Sequence, residues 1–271
     1  MSSKSSTQHL SRVNIIRKKH LRLTIAVLII LGLIILAGEI TNYDHIDGLV
    51  SIPAAISWLF SNMLFSAGTL ANFPTVLRLL WETILISIVS TTTASVFALI
   101  FALLGSQLTQ VNTFLMYVAK LVASISRNIP VVAWALILVL SFGTNSATGF
   151  LALFFATFGF LVRAYIETID EASSDSIEAL RATGATYPQM IFKAVLPGSM
   201  PQLFSWTLFM IETNIRSATL VGLLTGTGIG YLFDLYYKQL NYEMVSLITL
   251  SIVVAVLIIE TISNRIRREI I

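Results

Sequence analysis

The sequence predicts an all-α membrane protein with about six transmembrane helices. Its mean hydropathy is +0.84, and 56% of the 271 residues are hydrophobic while only 11% are charged. A soluble domain carries about 25% charged residues, so lipid is expected to cover most of this chain. An apolar run at 23–37 is followed by five segments that are each near or above the ~20 residues that cross a bilayer as a helix, at 77–104, 114–142, 148–166, 203–224 and 244–262.

The composition also excludes several kinds of site. The chain contains no cysteine, and only His9, His20 and His45 could serve as other soft ligands, so we expect no catalytic residue, no metal and no cofactor. The net charge of +3 does not indicate nucleic-acid binding, because the basic residues flank apolar segments near the chain ends, as membrane topology places them.

The N-terminal part is predicted to anchor the chain. Residues 1–22 are polar and basic and are expected to form a cytoplasmic tail. Residues 23–76 are then an anchor helix and an external loop, in which residues 52–65 form a short helix at the membrane interface. An uncleaved anchor is expected, and a cleaved signal peptide is the alternative.

Residues 77–264 are predicted to be the transmembrane domain. Its second apolar segment, 114–142, contains Arg127-Asn128-Ile129-Pro130. The helix is expected to break there, because proline removes a backbone donor and kinks a helix. Arg127 is therefore either a cationic contact beside a pathway or an arginine that snorkels to the interface. A stripe of small side chains on the first helix of this domain is expected to pack against another helix; it comprises Thr83, Ser87, Ser90, Thr91 and Ala94.

The distribution of lysine and arginine predicts the orientation in the cell membrane. Residues 41–75 and 143–147 contain neither residue type, and the last external loop contains only Lys238. The N-terminus and the basic tail at 265–271 are therefore both expected to be cytoplasmic.

The polar stretch at 167–199 is too long for a tight turn between helices and is expected to fold. A first helix would end at Gly184, a residue suited to the left-handed conformation at a helix C-terminus. A second would run from Tyr187 to Val195 and stop at Leu196-Pro197. The result is a helix-turn-helix on the cytoplasmic face.

Charged residues interrupt the apolar segment at 203–224. Glu212, Arg216 and Thr219 share one helical face, and charges at this depth need a reason because they are costly in lipid. One interpretation is an internal Glu212–Arg216 pair that neutralises itself. The other is a cavity wall that holds an anion during passage.

The loop resembles the "EAA" loop of ABC importer permeases. Glu178-Ala179-Leu180, then Gly184, then Leu196-Pro197 follow the spacing of that motif, with Leu180 in place of its second alanine and Ala194 in place of its isoleucine. The resemblance implies a coupling helix that docks on an ATPase subunit. The residues that it assigns to ATPase coupling are Glu178, Ala179, Gly184, Leu196 and Pro197.

The run from Asn214 to Gly222, N-x-R-S-A-T-x-V-G, is similar to phosphonate-type permeases of the same superfamily. This resemblance implies a type I ABC importer fold, also called MetI-like. It also implies transport of phosphonate or a related phosphorus oxyanion, with methionine or phosphate as alternatives in the superfamily. A transporter driven by an ion gradient is a further alternative. The residues expected along the substrate pathway are Arg216, Glu212, Asn214, Ser217, Thr219 and Arg127.

The same resemblance implies partners. The chain lacks the pattern G-x-x-x-x-G-K-S/T that holds nucleotide phosphates, so two separate ABC ATPase subunits are expected, and the chain is a transport subunit rather than an enzyme. A second permease copy, forming a homodimer, and an extracytoplasmic substrate-binding protein complete the expected complex. Whether the second permease is identical or a paralogue stays open.

Overall fold

The computed structural model describes the backbone of residues 3–64, 66–172 and 174–270, and every regular element within these ranges is helical. The chain divides into two compact units, residues 1–62 and residues 63–271. The all-α prediction is therefore confirmed over the described residues.

In the described part of the first unit there are three helices, α1 (Ser3–Thr41), α2 (His45–Val50) and α3 (Ile52–Asn62). Helix α1 continues through residue 22, so the predicted tail and anchor belong to one helix, whose apolar part is Lys18–Thr41. Helix α3 confirms that the segment beginning at residue 52 is helical; Phe65, the predicted end of that segment, lies outside the described residues.

The second unit contains ten α-helices among its described residues. They are α4 (Ala67–Leu70), α5 (Phe73–Gly105), α6 (Thr113–Asn128), α7 (Val131–Phe142), α8 (Ser146–Ala172), α9 (Ser174–Ala182), α10 (Tyr187–Met190), α11 (Leu196–Thr225), α12 (Gly228–Lys238) and α13 (Tyr242–Ile270). A π-helical turn, Ile191–Val195, joins α10 to α11.

Among the described residues, four helices are long and apolar enough to cross a membrane, and the number rises to six if each of two bent helix pairs counts as one span. The first bent pair is α6 and α7, which meet at 92° across Ile129 and Pro130. The bend confirms the predicted break at Pro130. Counting each bent pair as one span gives the predicted number of about six spans. The second pair, the helical run Tyr187–Thr225 with α12, bends by 56°.

Helix α8 is the centre of the second unit and packs against α5, α6, α7 and α11. The predicted stripe on α5 is confirmed as a packing face, since all five of its side chains are at most 3% exposed. Alanines continue this face toward the end of α5, where Ala94, Ala98 and Ala102 are fully buried. Small side chains let two helix backbones approach closely, which explains how α5 lies against α8.

The basic segment at 265–271, predicted from its arginines to be a cytoplasmic tail, is helical over its described residues. Helix α13 continues to Ile270, and Arg267 packs inward.

Candidate functional site

The polar loop forms a hairpin, which we call the hairpin and define as residues 174–195. Helix α9 ends in a Schellman motif, in which Ala185 N donates to Leu180 O at 3.1 Å and Gly184 N donates to Arg181 O at 3.0 Å. Gly184 has φ +77°, a conformation that other residues adopt only with strain. The predicted role of Gly184 at the end of the first helix is confirmed.

Helix α9 has an inner and an outer face. Ile177 is 2% exposed and joins the core cluster that contains residues of α5, α8 and α11, with Leu180 packed against it. Glu178 and Ala179 are exposed. The predicted coupling residues Glu178, Ala179 and Gly184 are thus together on the solvent side of the hairpin.

Two side chains fasten the hairpin to the loop between α5 and α6, and sequence reasoning missed both. Arg181 Nη2 donates to Leu108 O at 2.9 Å, and Tyr187 Oη donates to Thr109 O at 2.8 Å. These acceptors are backbone carbonyls far away in the chain, so nothing in the local sequence indicates them.

The prediction that the second helix of the hairpin stops at Leu196-Pro197 is wrong. The chain stays helical from Tyr187 to Thr225, and Leu196 N donates to Ile191 O across the π turn. Pro197 lacks an N–H, and a π turn shifts the backbone hydrogen bonds by one residue, so the helix passes the proline without a break. Leu196 and Pro197 therefore lie in the first turn of α11.

Glu212 is the buried centre of an ionic cluster on α11. It is 8% exposed. Its Oε1 accepts from Arg216 Nη2 at 3.1 Å, and its Oε2 accepts from Arg267 Nη2, on α13, at 3.2 Å. Arg267 Nη2 also approaches Ser263 Oγ at 3.3 Å. A buried carboxylate is tolerated because it is paired and hydrogen-bonded, and α11 is thereby fastened to α13.

The cluster holds one carboxylate between two guanidinium groups, so it retains one positive charge. The predicted pair of Glu212 and Arg216 exists, but it does not neutralise itself because Arg267 is the second partner. The Arg216 side chain is 47% exposed and can still donate to a ligand. Among the described residues, no three histidine, aspartate or glutamate side chains are grouped to hold a metal ion.

Asn214 points into the helix bundle. Its Nδ2 donates to Thr91 Oγ1 at 2.8 Å and to Thr157 Oγ1 at 2.6 Å, and its backbone carbonyl accepts from Ser87 Oγ at 3.2 Å. The amide thus fastens α11 to α5 and α8. Both amide N–H groups are used inside the bundle, which separates Asn214 from the other predicted pathway residues.

Ser217 and Thr219 are partly exposed on α11. Their hydroxyls donate to carbonyls of their own helix, Ser217 Oγ to Thr213 O at 3.1 Å and Thr219 Oγ1 to Ile215 O at 3.4 Å. Each oxygen keeps its capacity to accept, so both residues can add polar contacts near Arg216.

Arg127 lies elsewhere, in a groove between α6 and α8 that we call the α6/α8 groove. The groove has a volume of about 660 Å³ and contains two further cations, Lys120 and Arg163, that sequence reasoning had not connected with Arg127. The residues that line it are Lys120, Ala123, Ser124, Arg127, Asn128, Gly159, Arg163, Ile166 and Glu167.

Comparison with known proteins shows which family the chain belongs to. Residues 94–270, well over half of the chain, match the family described as binding-protein-dependent transport system inner membrane component. The chain is 27% identical over 190 residues to the phosphate-import permease protein PhnE of Mycolicibacterium smegmatis, a match that covers 70% of this chain but only 36% of that protein. It is 29% identical over 193 residues to the phosphite transport system permease protein PtxC of Stutzerimonas stutzeri, covering 71% of this chain and 70% of that one.

Among solved structures, the chain resembles a chain of the MetNI methionine ABC transporter in an inward-facing conformation. The TM-score is 0.66 and the identity 22%, over 76% of this chain and 100% of that one. At this identity the likeness concerns the fold alone, and it confirms the predicted MetI-like architecture.

Proposed function

Because the chain belongs to the family of binding-protein-dependent transport system inner membrane components, we propose that it is the membrane-spanning permease subunit of an ATP-driven importer for phosphonate or a related phosphorus oxyanion. The printed names of two relatives, a phosphate-import and a phosphite transport permease, support this substrate class. Family membership also makes the chain a transport component and not an enzyme.

The observation that carries the substrate proposal is the charge of the ionic cluster. Glu212 is shared by Arg216 and Arg267, so one positive charge remains beside the half-exposed Arg216. Guanidinium groups bind phosphoryl oxygens with paired, charge-assisted hydrogen bonds. Arg216 would contact the passing anion, Glu212 would hold Arg216 in place, and Ser217 and Thr219 would add polar contacts. Asn214 would support α11 from behind.

The hairpin is the proposed contact with the ATPase. Glu178 and Ala179 present an exposed surface beside Gly184, while Ile177 anchors the same helix in the core. A hairpin so anchored can pass the movement of an ATPase to α11, because the helix continues from Tyr187 without a break. We assign two ATPase subunits, a second permease copy and an extracytoplasmic binding protein as partners, and we place the hairpin and both chain termini in the cytoplasm.

The substrate is tested in proteoliposomes that contain the chain with its ATPase and binding protein. ATP-driven uptake of methylphosphonate, phosphite, phosphate and methionine is measured in competition. We expect uptake of one or more phosphorus oxyanions, and Arg216→Gln should reduce it about tenfold, since a charge-assisted hydrogen bond contributes about 1.5–3 kcal/mol. The matched control is Arg265→Gln, at an exposed arginine that faces Glu269 at 3.8 Å. Uptake of methionine alone, or full uptake by Arg216→Gln, would contradict the proposal.

The coupling role is tested separately with two substitutions at one position. Gly184→Pro cannot adopt φ +77° and should abolish uptake driven by ATP. Gly184→Asn tolerates that conformation and should retain most of it. Equal uptake by both variants would show that the turn takes no part in coupling.

A further inference from the structure

The α6/α8 groove gathers three cations from two helices at one place. Lys120, Ser124 and Arg127 follow i, i+4, i+7 spacing, so they lie on one face of α6, and Arg163 comes from α8. Single basic residues near a helix end are often explained by snorkelling or by the helix dipole. Neither effect requires that basic residues of two helices share one cavity.

A close contact between backbones positions the groove. A Cβ atom added to Gly159 of α8 would lie 2.4 Å from Arg127 N and 2.9 Å from Ala123 O, distances that no real side chain occupies. Helices α6 and α8 therefore touch at Gly159, at the level of Arg127. This contact sets the position of Arg127 relative to Arg163.

The end of α6 is held by α7. In a continuous helix the carbonyl of Ser126 would accept from the N–H of residue 130, but Pro130 has none. Trp134 Nε1 donates to Ser126 O instead, at 3.2 Å, and its ring stacks on Phe155 of α8 with centroids 4.7 Å apart. The backbone that carries Arg127 is thus fixed although the helix is broken beside it.

The groove carries an excess of positive charge. Arg163 Nε lies 2.8 Å from Glu167 Oε1, and the Arg163 side chain is 64% exposed. Lys120, Arg127 and Arg163 against the single carboxylate of Glu167 leave a net charge of +2. A phosphoryl group with about −1.5 to −2 charges at neutral pH matches this excess.

We propose that the α6/α8 groove is a second anion site, at which a free oxyanion of the phosphate or phosphonate type is held during passage, distinct from the cluster at Arg216. This inference rests on the proposed function. The volume of about 660 Å³ far exceeds a small oxyanion, so the groove holds its ligand by charge in a hydrated space rather than by a close fit. The same chemistry would suit a phospholipid headgroup, and the test distinguishes the two sources.

The chain has no cysteine, so one introduced thiol is the single reactive thiol of this chain, and labelling is read on this chain after the subunits are separated. Ser124→Cys places it in the groove. In the complete complex, the thiol should react about tenfold faster with anionic sulfonatoethyl methanethiosulfonate than with cationic trimethylammonioethyl methanethiosulfonate, since a cationic cleft concentrates anions. Adding Arg163→Gln should reduce this preference, and inorganic phosphate should protect the thiol. The control is Asn264→Cys, an exposed site beside Arg265 and Arg268, where phosphate should give no protection.

Whether the groove instead binds a phospholipid headgroup is tested in nanodiscs of phosphatidylcholine with and without anionic phosphatidylglycerol. Protection by free phosphate in both membranes supports the proposal. Protection that requires phosphatidylglycerol and never responds to free phosphate would assign the groove to lipid and overturn it, as would equal reactivity toward the two reagents.

Uptake separates a failure of this inference from a failure of the proposed function. Lys120→Gln with Arg163→Gln should reduce uptake of phosphite by at least about tenfold in complexes that assemble normally. Full uptake by this double variant would show that the groove takes no part in transport, which would overturn this inference and leave the proposed function intact. A complex that imports no phosphorus oxyanion, but whose groove thiol is protected by phosphate, would contradict the proposed function and support the anion site.

Discussion

The hairpin before α11 and the turn after it both contain a glycine that cannot be replaced freely, but for different physical reasons. At the hairpin end, Gly184 has φ +77° and an added Cβ would meet nothing within 4 Å. At the other end, in what we call the glycine turn (residues 222–230), an added Cβ on Gly230 would lie 2.1 Å from Thr219 O and 2.7 Å from Leu223 N. Gly184 is required for its backbone conformation, and Gly230 is required because two helices touch. The hairpin before α11 has open space around Gly184, and the turn after α11 is packed against its own chain.

A hydrogen bond adds to the packing at the glycine turn. Ile229 N donates to Thr83 Oγ1 at 2.9 Å, and both residues are buried. The hairpin, in contrast, is fastened by two side-chain hydrogen bonds near the surface, an exposed one from Arg181 and a partly buried one from Tyr187. We therefore expect substitutions at the glycine turn to lower stability, and substitutions at the hairpin to lower coupling with little loss of stability.

The largest effect is expected for Gly230→Ala. The new methyl group would clash with backbone atoms that cannot move independently, and overpacking of this kind costs about 3 kcal/mol. Thermal unfolding of the purified protein in detergent measures the loss. Gly32→Ala is the control, because an added Cβ there meets nothing within 4 Å. If Gly230→Ala unfolds at the same temperature as the wild type, the hairpin and the glycine turn do not differ as described.

A smaller effect is expected for Thr83→Val. It keeps the shape of the side chain but leaves the buried N–H of Ile229 without its acceptor, which costs about 1–3 kcal/mol. The control on the same helix is Thr92→Val, at an exposed threonine whose hydroxyl donates to Ile88 O of its own helix. Its free energy of unfolding should change by less than about 0.5 kcal/mol, and equal losses for the two variants would contradict the role of Thr83.

The smallest effect on stability is expected for Tyr187→Phe at the hairpin. Loss of the partly buried hydrogen bond to Thr109 O should cost about 1 kcal/mol, the usual net contribution of one hydrogen bond. ATP-driven uptake should nevertheless fall several-fold, since of the two hydrogen bonds described only that of Arg181 would then hold the hairpin to the loop after α5. Tyr117→Phe, at a tyrosine that is 65% exposed on α6, is the control. A stability loss as large as that of Thr83→Val, with normal uptake, would reverse the comparison.

Local features of the structure were predictable from the sequence. The apolar segments predicted the long helices, Pro130 predicted the break between α6 and α7, and the position of Gly184 predicted the end of α9. Each of these depends on neighbouring residues, because helix length, proline geometry and a left-handed glycine are properties of a short segment of chain.

Contacts between distant segments were not predictable in the same way. The sequence indicated a charge pair at Glu212 and Arg216, but Arg267 joins it from another helix, 55 residues away. Arg163 and Arg127 also belong to different helices, and only the packing at Gly159 brings them to one groove. Such sites depend on which helix faces pack together, and periodicity does not determine this.

The uninterrupted helix from Tyr187 to Thr225 has a mechanical consequence. Helix α11 alone has 30 residues and is about 45 Å long. Glu212 lies near its midpoint and is tied to Arg267 of α13. If α11 tilted as a rigid body about this tie, its two ends would move in opposite directions, by about 2 Å each for a tilt of about 5°.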